Sequence, residues 1–396
     1  MRDPLANRRL MHTLERPSQL FVRGQGSWLW DVEGRAYLDF SQGWAVNSLG
    51  HSPSVLVDAL KHQAEYLIDP GPAFYNRCVL DLAARLCQAT GSQQVHFLNS
   101  GAEANQAAIR LARKWGRLHR GGAWRIVTAR RSDHEHLPTA FDAQVPPSPP
   151  MPVATGMDSV PYNDLEALRA AIGPETVAVM LEPVQGDAGV IPATLEYLQG
   201  AARACRERGV LFILDEMQTG IGRCGALLAE DLYGVRADIL SLGKGLGGGV
   251  PLAALLARGN ACCLEPGEQG GAHHGGNALM SAAGLAVLDT VLEPGFLDHV
   301  REVSEHLREG LARIARREGH GPLRGHGLLL GLPLIRLSAA AVVRTALEEG
   351  LLIDAPQAGC LRFTPALTIS HGNIDEMLKR LARAFARCRR LAAEED

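Results

Sequence analysis

A lysine and an aspartate that each follow an apolar run are the residues of this chain best suited to covalent chemistry. The run Gly209 to Leu214 ends in Asp215, and Lys244 stands just beyond a second apolar run, in the sequence SLGKG. A short β-favouring run that ends in an acid predicts a buried parallel strand, and open α/β sheets bind ligands where such strands end. Pyridoxal phosphate chemistry needs an amine that forms a Schiff base and a carboxylate that keeps the pyridine nitrogen protonated. The pair therefore predicts a pyridoxal phosphate site.

A turn of small residues supplies the third part of such a site. The run Val95 to Asn99 favours a strand, and an amphipathic helical pattern begins directly after Ser100. Ser100 suits the cap position of that helix, while Gly101 and Ala102 would leave their backbone N–H groups unobstructed. Because a helix N-terminus carries partial positive charge, this turn suits a dianionic phosphate.

The elements around these residues alternate between helix and strand. Helical periodicity is clear at 165–172, 194–207 and 296–317, and strands are predicted at 126–128, 177–181 and 237–242. Alternation of this kind predicts an α/β fold with a mostly parallel sheet.

The chain is long enough for two domains. We predict that residues 1–50 form an N-terminal arm and part of a small α+β domain, and that 51–284 form the large cofactor domain. Residues 285–396 would complete the small domain, with one strand over the Gly-rich apolar run 325–334 and a closing helix over 370–387.

Several longer stretches match one enzyme family in order. They are EGRAYLDF at 33–40, GWAVNSLGH at 43–51, the segment 100–116, PYNDLEAL at 161–168, LEPVQGDAGVIP at 181–192, LDEMQTGIGRCG at 214–225, ADILSLGKGLGGGVPLAALL at 237–256, GGN at 275–277 and LRFTP at 361–365. Through them the chain resembles the class III aminotransferases of fold type I, nearest to the acetylornithine and ornithine aminotransferase group. The resemblance implies pyridoxal 5'-phosphate as cofactor, small amine and 2-oxo acid substrates, and a homodimer with shared active sites.

The resemblance also implies roles for individual cofactor contacts. Lys244 matches the Schiff-base lysine and proton shuttle, and Asp215 matches the partner of the pyridine nitrogen. Gln218 would contact the ring hydroxyl, and Gly101 and Ala102 match the turn that holds the phosphate.

Three further residues match positions that bind the substrate. Arg362 corresponds to an arginine that holds a substrate carboxylate, a task suited to its bidentate fork. Glu182 begins the family's glutamate-rich loop. Five positions later, where the group has a glutamate that can pair with that arginine, this chain has Asp187, which is one methylene shorter. In the group this pairing can switch between amine donors, and we expect it to be kept here in altered form.

Two stretches depart from the family pattern. Asp133-His134-Glu135-His136 replaces Phe-His-Gly-Arg, which supplies a stacking aromatic and a carboxylate-binding arginine, and Ala272-His273-His274 replaces Ser-Thr-Phe. We predict that His134 replaces the aromatic, that His136 is a pH-dependent substitute for the arginine, and that His273 reaches the phosphate across the dimer. The histidines and carboxylates of these two stretches also suit zinc or iron. A motif alone does not show that its side chains converge on one ion, so we predict no metal site. Decay of the substrate site is a further alternative.

Composition agrees with a soluble enzyme that has an α/β core. The chain has 396 residues, 46% of them apolar, 43 glycines and a formal net charge of −3, which gives no argument for nucleic acid or a membrane surface. The N-terminal stretch lacks the apolar core of a signal peptide, and no apolar run of about 18 residues is present. We therefore expect a cytoplasmic protein.

These observations together predict a ping-pong aminotransferase of amino-acid metabolism, in arginine biosynthesis. The donor would be of the ornithine type, with N-acetylornithine as one candidate, and the acceptor would be 2-oxoglutarate. One alternative is pyridoxal chemistry without amino transfer, as in an epimerase or decarboxylase, or a divergent paralogue with another substrate. Another is a binding protein that kept the fold, but Lys244, Asp215 and Gln218 argue against it because a fold alone does not need them.

Overall fold

The computed structural model describes residues 10–11, 13, 16–132, 134, 156–266 and 273–395, with only the backbone for 392–395. The helices are α1 (Gln42–Ala45), α2 (Ser54–Tyr66), α3 (Arg77–Thr90), α4 (Gly101–His119), α5 (Leu165–Ala171), α6 (Leu195–Arg208), α7 (Ala229–Tyr233), α8 (Ala278–Val291), α9 (Phe296–Glu318), α10 (Ala339–Glu348) and α11 (His371–Glu395), with 3-10 turns at Lys244–Leu246 and Gly259–Ala261. The strands are β1 (Phe21–Gln25), β2 (Trp28–Asp31), β3 (Ala36–Asp39), β4 (Gln94–Leu98), β5 (Arg125–Ala129), β6 (Met157–Val160), β7 (Thr176–Leu181), β8 (Val184–Gln185), β9 (Ile191–Pro192), β10 (Leu211–Asp215), β11 (Ile239–Leu242), β12 (Ala253–Ala257), β13 (Arg324–His326), β14 (Leu329–Pro333), β15 (Leu351–Leu352), β16 (Asp354–Gln357) and β17 (Cys360–Phe363).

A seven-stranded sheet in the order β4-β12-β11-β10-β7-β5-β6 forms the centre of the fold. Strand β12 is antiparallel to both its neighbours, and the other described strands of this sheet are parallel to one another. This confirms the predicted α/β class with a mostly parallel sheet. The C-terminal ends of β4, β10 and β11 consequently share one edge of the sheet, and the phosphate-type turn, Asp215 and Lys244 follow those three strands.

Alternation along β10 decides which way Asp215 points. Leu211 and Ile213 belong to the apolar cluster that includes α4, whereas Phe212 and Leu214 pack in the cluster that includes α6. Successive strand side chains point to opposite faces, so Asp215 lies on the α4 side of the sheet. Burial on both faces explains why these strands are continuous apolar runs.

Apart from the segment 325–334, the predicted helices and strands are found with small shifts at their ends. Side-chain caps begin five of the described helices: Asn76 for α3, Ser100 for α4, Asp164 for α5, Thr194 for α6 and Asn277 for α8. The β11 strand begins at Ile239 rather than at 237, and α11 extends to Glu395, beyond the predicted end at 387.

The prediction of one strand over 325–334 was wrong. The segment forms two antiparallel strands, β13 and β14, which turn at Gly327-Leu328. Gly327 has a φ of 53°, and a Cβ there would lie 2.5 Å from the carbonyl carbon of Cys224. The turn therefore packs against backbone where only glycine fits, which an apolar run alone does not reveal.

The residues before and after the main sheet form two smaller four-stranded sheets. The first has the order β1-β2-β3-β15 and the second has the order β13-β14-β17-β16. Because β15 pairs in parallel with β3, residues before position 50 share a sheet with residues after 285. This pairing supports the proposed division into 1–50, 51–284 and 285–396, which stays a prediction.

Within the described residues, no single helix is both long and apolar enough to cross a membrane. Taken together, α8 and α9 pass that test of length and composition, but they bend by 73° at the break between them.

Candidate active site

Asp215 is held at the end of β10 by hydrogen bonds from several neighbours. Asn105 Nδ2 on α4 donates to Asp215 Oδ2 at 2.6 Å, and the backbone N–H of Met217 donates to Oδ1 at 3.0 Å. His134 Nδ1 approaches Oδ2 at 3.4 Å, and Ser241 Oγ both donates to Asn105 Oδ1 at 2.6 Å and lies 3.4 Å from Asp215 Oδ1. The carboxylate is thereby fixed in one orientation.

These hydrogen bonds keep Asp215 ionised although it is almost fully buried. Burial disfavours the charged form and by itself would raise the pKa of Asp215. Hydrogen bonding and charge from His134, with the bonds from Met217 N and Asn105, outweigh burial and lower the pKa below its ordinary value. An ionised, buried carboxylate at a sheet edge can pair with a protonated ring nitrogen.

His134 lies beneath this carboxylate and is fully buried. Its Nε2 is 2.7 Å from Thr128 Oγ1 and 3.3 Å from the Met180 carbonyl oxygen. Because a carboxylate oxygen only accepts, His134 Nδ1 must carry the hydrogen shared with Asp215. This position favours a role in orienting Asp215 over the predicted role of stacking on a ring. Asp133, Glu135 and His136 lie outside the described residues.

The predicted phosphate turn has the geometry of an anion site. Ser100 caps α4 by accepting a hydrogen bond from the Glu103 N–H at 3.3 Å. The next backbone N–H groups, of Gly101 and Ala102, belong to the first turn and have no acceptor within the helix. They start a helix of 19 residues, whose dipole adds positive potential at this end.

Lys244 begins a short 3-10 turn directly after β11. Its φ of 41° lies in the left-handed region, which is uncommon for a residue with a side chain and costs about 1–3 kcal/mol. The turn is fixed from outside, because Ser48 Oγ donates to the Gly245 carbonyl at 2.8 Å. The backbone at Lys244 is therefore held in an unfavourable conformation at the end of a buried strand, next to the sheet edge that carries Asp215.

Arg362 lies on β17 between two carboxylates. Its Nη1 contacts Asp187 Oδ1, and its Nη2 donates to Asp354 Oδ2 at 2.6 Å. Arg362 Nε is 3.2 Å from each Asp354 oxygen. Burial works against the guanidinium charge, but both carboxylates outweigh it and raise the pKa of Arg362 above its ordinary value. The sequence pointed to Asp187 as a partner but gave no sign of Asp354.

Gln218 joins this arginine to Asp187. Gln218 Oε1 accepts from Arg362 Nη1 at 3.2 Å, and Gln218 Nε2 donates to Asp187 Oδ2 at 3.1 Å. A Cβ at position 186 would lie 2.0 Å from Gln218 Oε1, so only glycine permits this packing. Gln218, predicted to contact the ring hydroxyl, is therefore also part of the arginine cluster.

The remaining predicted residues lie in different settings. Glu182 is buried directly after β7, so it lies at the same sheet edge as Asp215, and its backbone carbonyl accepts from Tyr162 at 2.7 Å. His273 is exposed, and the neighbouring His274 pairs with Asp69 at 3.2 Å. Among the described residues there is no group of three or more His, Cys, Asp or Glu side chains that could hold a metal ion.

The site as a whole fits pyridoxal phosphate. The Gly101 and Ala102 N–H groups at the start of α4 suit a dianionic phosphate, and an ionised, buried carboxylate suits a pyridinium nitrogen. Lys244, in its strained turn, has the amine that a Schiff base needs. Asn105 and Ser241 complete the support for the carboxylate and were not assigned a role from sequence. Asn105 interrupts the apolar face of α4, and that interruption was the available signal.

Comparison with known proteins agrees with this chemistry. The family model described as "Aminotransferase class-III" matches residues 12–385. "Acetylornithine aminotransferase 2" of Bordetella bronchiseptica is 47% identical over 387 residues, which are 96% of this chain and 98% of that protein. The solved N-acetylornithine aminotransferase of Stenotrophomonas maltophilia has a TM-score of 0.83 at 34% identity, covering 96% and 98%. The ornithine aminotransferase of Toxoplasma gondii has a TM-score of 0.88 at 29% identity, covering 98% and 94%.

Proposed function

The chain belongs to the class III aminotransferases, and from this premise we propose that it moves the amino group of an ornithine-type donor to 2-oxoglutarate by a ping-pong mechanism. N-acetylornithine is the first donor to test, since relatives that share 42–47% identity with most of this chain are named acetylornithine aminotransferases. Such a reaction has a place in arginine biosynthesis. The observation that carries the proposal is the contact of Arg362 with Asp187 and Gln218, because Gln218 lies three residues after Asp215 at the end of β10.

Pyridoxal phosphate, the cofactor of this family, would be held by three parts of the chain. The first turn of α4, with Ser100, Gly101 and Ala102, would bind the phosphate, and Asp215 would pair with the ring nitrogen. When bound, the cofactor supplies an electron sink that stabilises the donor carbon after it loses a proton. Lys244 would bind it covalently between turnovers.

Two residues of the chain would then act directly, Lys244 by moving a proton and Asp215 by pairing with the ring nitrogen. Lys244 Nζ takes the proton from the donor carbon, which is general base catalysis by a positioned amine. Asp215 keeps its charge because His134 and Asn105 hydrogen-bond to it, so the ring nitrogen has a permanent partner.

Arg362 can serve two substrates of different charge in one site. A ping-pong enzyme binds its donor and its acceptor in turn at the same site. Here the acceptor is a dicarboxylate, and the donor has one carboxylate fewer. With Asp187 and Asp354 both against Arg362 the site carries no free positive charge for the donor, and displacement of Asp187 would free the Nη1 of Arg362 for the acceptor. Asp187 lies in the turn between β8 and β9 with its side chain 44% exposed, which suits a partner that leaves.

The active form would be a homodimer. Large apolar side chains are exposed between α2 and the start of α3, with Phe74 at 71% and Tyr75 at 88%. This surface adjoins the segment after His273, because Asn76 Nδ2 donates to the Gly276 carbonyl at 2.8 Å. A second copy would cover it and would bring His273 toward the partner's cofactor phosphate.

Cofactor retention should therefore depend on assembly. We expect Tyr75→Asp to shift sedimentation toward the monomer and to speed loss of pyridoxal phosphate during dialysis, because binding and assembly are linked. Leu195→Asp, at an exposed leucine that begins α6, is the matched control and should change neither. A Tyr75→Asp monomer that retains the cofactor as well as the parent protein does would contradict the shared site.

Nitrogen transfer tests the function itself. The purified holoenzyme with 15N-labelled N-acetylornithine and 2-oxoglutarate should produce labelled glutamate, and ornithine should be compared in parallel. Release of carbon dioxide, or loss of optical purity without glutamate, would instead indicate a decarboxylase or an epimerase. Absence of labelled glutamate with either donor would overturn the proposed reaction.

A further inference from the structure

Asp354 is fixed against Arg362 by the backbone. The two residues are directly opposed in the antiparallel pair of β16 and β17, with Asp354 in register with Arg362. Side chains at such positions are neighbours whatever the site binds. Asp354 takes the Nε and Nη2 edge of the guanidinium, whereas Asp187 and Gln218 contact Nη1.

Asp187 and Asp354 differ in side-chain exposure and in how firmly the backbone holds them. The side chain of Asp354 is 17% exposed and lies in a strand, whereas that of Asp187 is 44% exposed and lies in a turn. A substrate carboxylate can therefore displace Asp187, while Asp354 stays where its strand holds it. Arg362 would then bind the substrate with one edge still occupied by a carboxylate.

Resting on the function proposed above, we propose that Asp354 is a specificity-determining residue, a permanent counter-ion that limits how tightly Arg362 holds a substrate carboxylate. With Asp187 and Asp354 both present, the cluster of the two carboxylates and Arg362 has a net charge of −1. It therefore disfavours anions until Asp187 moves away. After that movement Asp354 still offsets the arginine charge, which weakens the hold on the dicarboxylate and allows its product to leave.

The test must separate Asp354 from Asp187, since removing one carboxylate strengthens the attraction of Arg362 for the other. Asp354→Asn is therefore compared in two backgrounds, the native chain and Asp187→Asn, where no carboxylate has to be displaced. Asparagine keeps an oxygen that accepts from Arg362 and removes only the charge. The probe is glutarate, an unreactive dicarboxylate, titrated calorimetrically into the holoenzyme.

We expect the double variant to bind glutarate about tenfold more tightly than Asp187→Asn alone, the factor that corresponds to one charge-assisted interaction of ordinary strength. In the native background the gain should be smaller, because Asp187 competes more strongly. The KM for 2-oxoglutarate should fall in parallel in the double variant, while kcat should not rise. Glu309→Gln, in an exposed ion pair with Arg313 on α9, makes the same charge change elsewhere and should leave glutarate binding unchanged.

Equal or weaker binding of glutarate by the double variant, with thermal unfolding like that of Asp187→Asn, would overturn the proposal and leave Asp354 as a mere support for Arg362. A gain of the same size in Glu309→Gln would overturn it as well. Glutarate binding requires no amino transfer, so the two proposals fail separately. Tighter binding in a protein that makes no glutamate would refute only the reaction, and unchanged binding in an active enzyme would refute only the role of Asp354.

Discussion

Lys244→Ala is expected to abolish amino transfer while the protein remains folded. Loss of a positioned general base alone costs a factor of about 10²–10⁴ in rate, and here the covalent attachment point for the cofactor is lost as well. Lys244 is only partly buried, and alanine inherits its left-handed φ, so the free energy of unfolding should change by no more than about 0.5 kcal/mol. Labelled glutamate formation and thermal unfolding measure the two effects.

A small exogenous amine provides the sharper control for this variant. If the missing function is a proton carrier, methylamine should partly restore the rate of Lys244→Ala in a concentration-dependent manner. Lys114→Ala, at a buried lysine on α4 that pairs with Glu265, removes a lysine outside the site and should keep the parent rate. Full activity of Lys244→Ala without added amine would show that the site has been misplaced.

Sequence predicted the elements that carry this site because their signals are local. The strand before Asp215 is one apolar run, and the helix after Ser100 has both its cap and its periodicity within a few residues. The relation between Lys244 and Asp215 followed from a general rule, that parallel strands end at one edge. These parts needed no knowledge of which strand pairs with which.

The parts that sequence could not give depend on pairing and packing. Asp354 becomes a partner of Arg362 only through the register of β16 with β17, and nothing in the run DAPQAGCLRF states that register. His134 was expected beside a ring because of its motif position, whereas the structure buries it against Asp215 and the Met180 carbonyl, which are 81 and 46 positions away in the sequence. The 325–334 hairpin was missed because Gly327 is required by backbone packing against Cys224.

Asp215 is the second residue whose loss should be severe, and it should fail differently from Lys244. In Asp215→Asn the ring nitrogen would lose its ionised partner, so the donor carbon would give up its proton much less readily. Removing one preorganised electrostatic contact costs a factor of about 10²–10³, and we expect the single-turnover rate with donor alone to fall by that amount. Cofactor content should stay close to that of the parent, because the α4 turn and Lys244 are unchanged.

The choice of substitution separates chemistry from stability at this position. Asparagine still offers an oxygen to Asn105 Nδ2 or Met217 N. Asp215→Ala would leave these buried donors unpaired and would lower the free energy of unfolding by about 1–3 kcal/mol. Asp215→Glu keeps the charge and should recover part of the rate that Asp215→Asn loses. A rate in Asp215→Asn within about threefold of the parent, at full cofactor content, would mean that another group holds the ring nitrogen.

Since Asp215 is kept ionised by His134, His134→Phe should lower the same single-turnover rate by a smaller factor than Asp215→Asn does. That smaller loss would show that the histidine acts through the carboxylate.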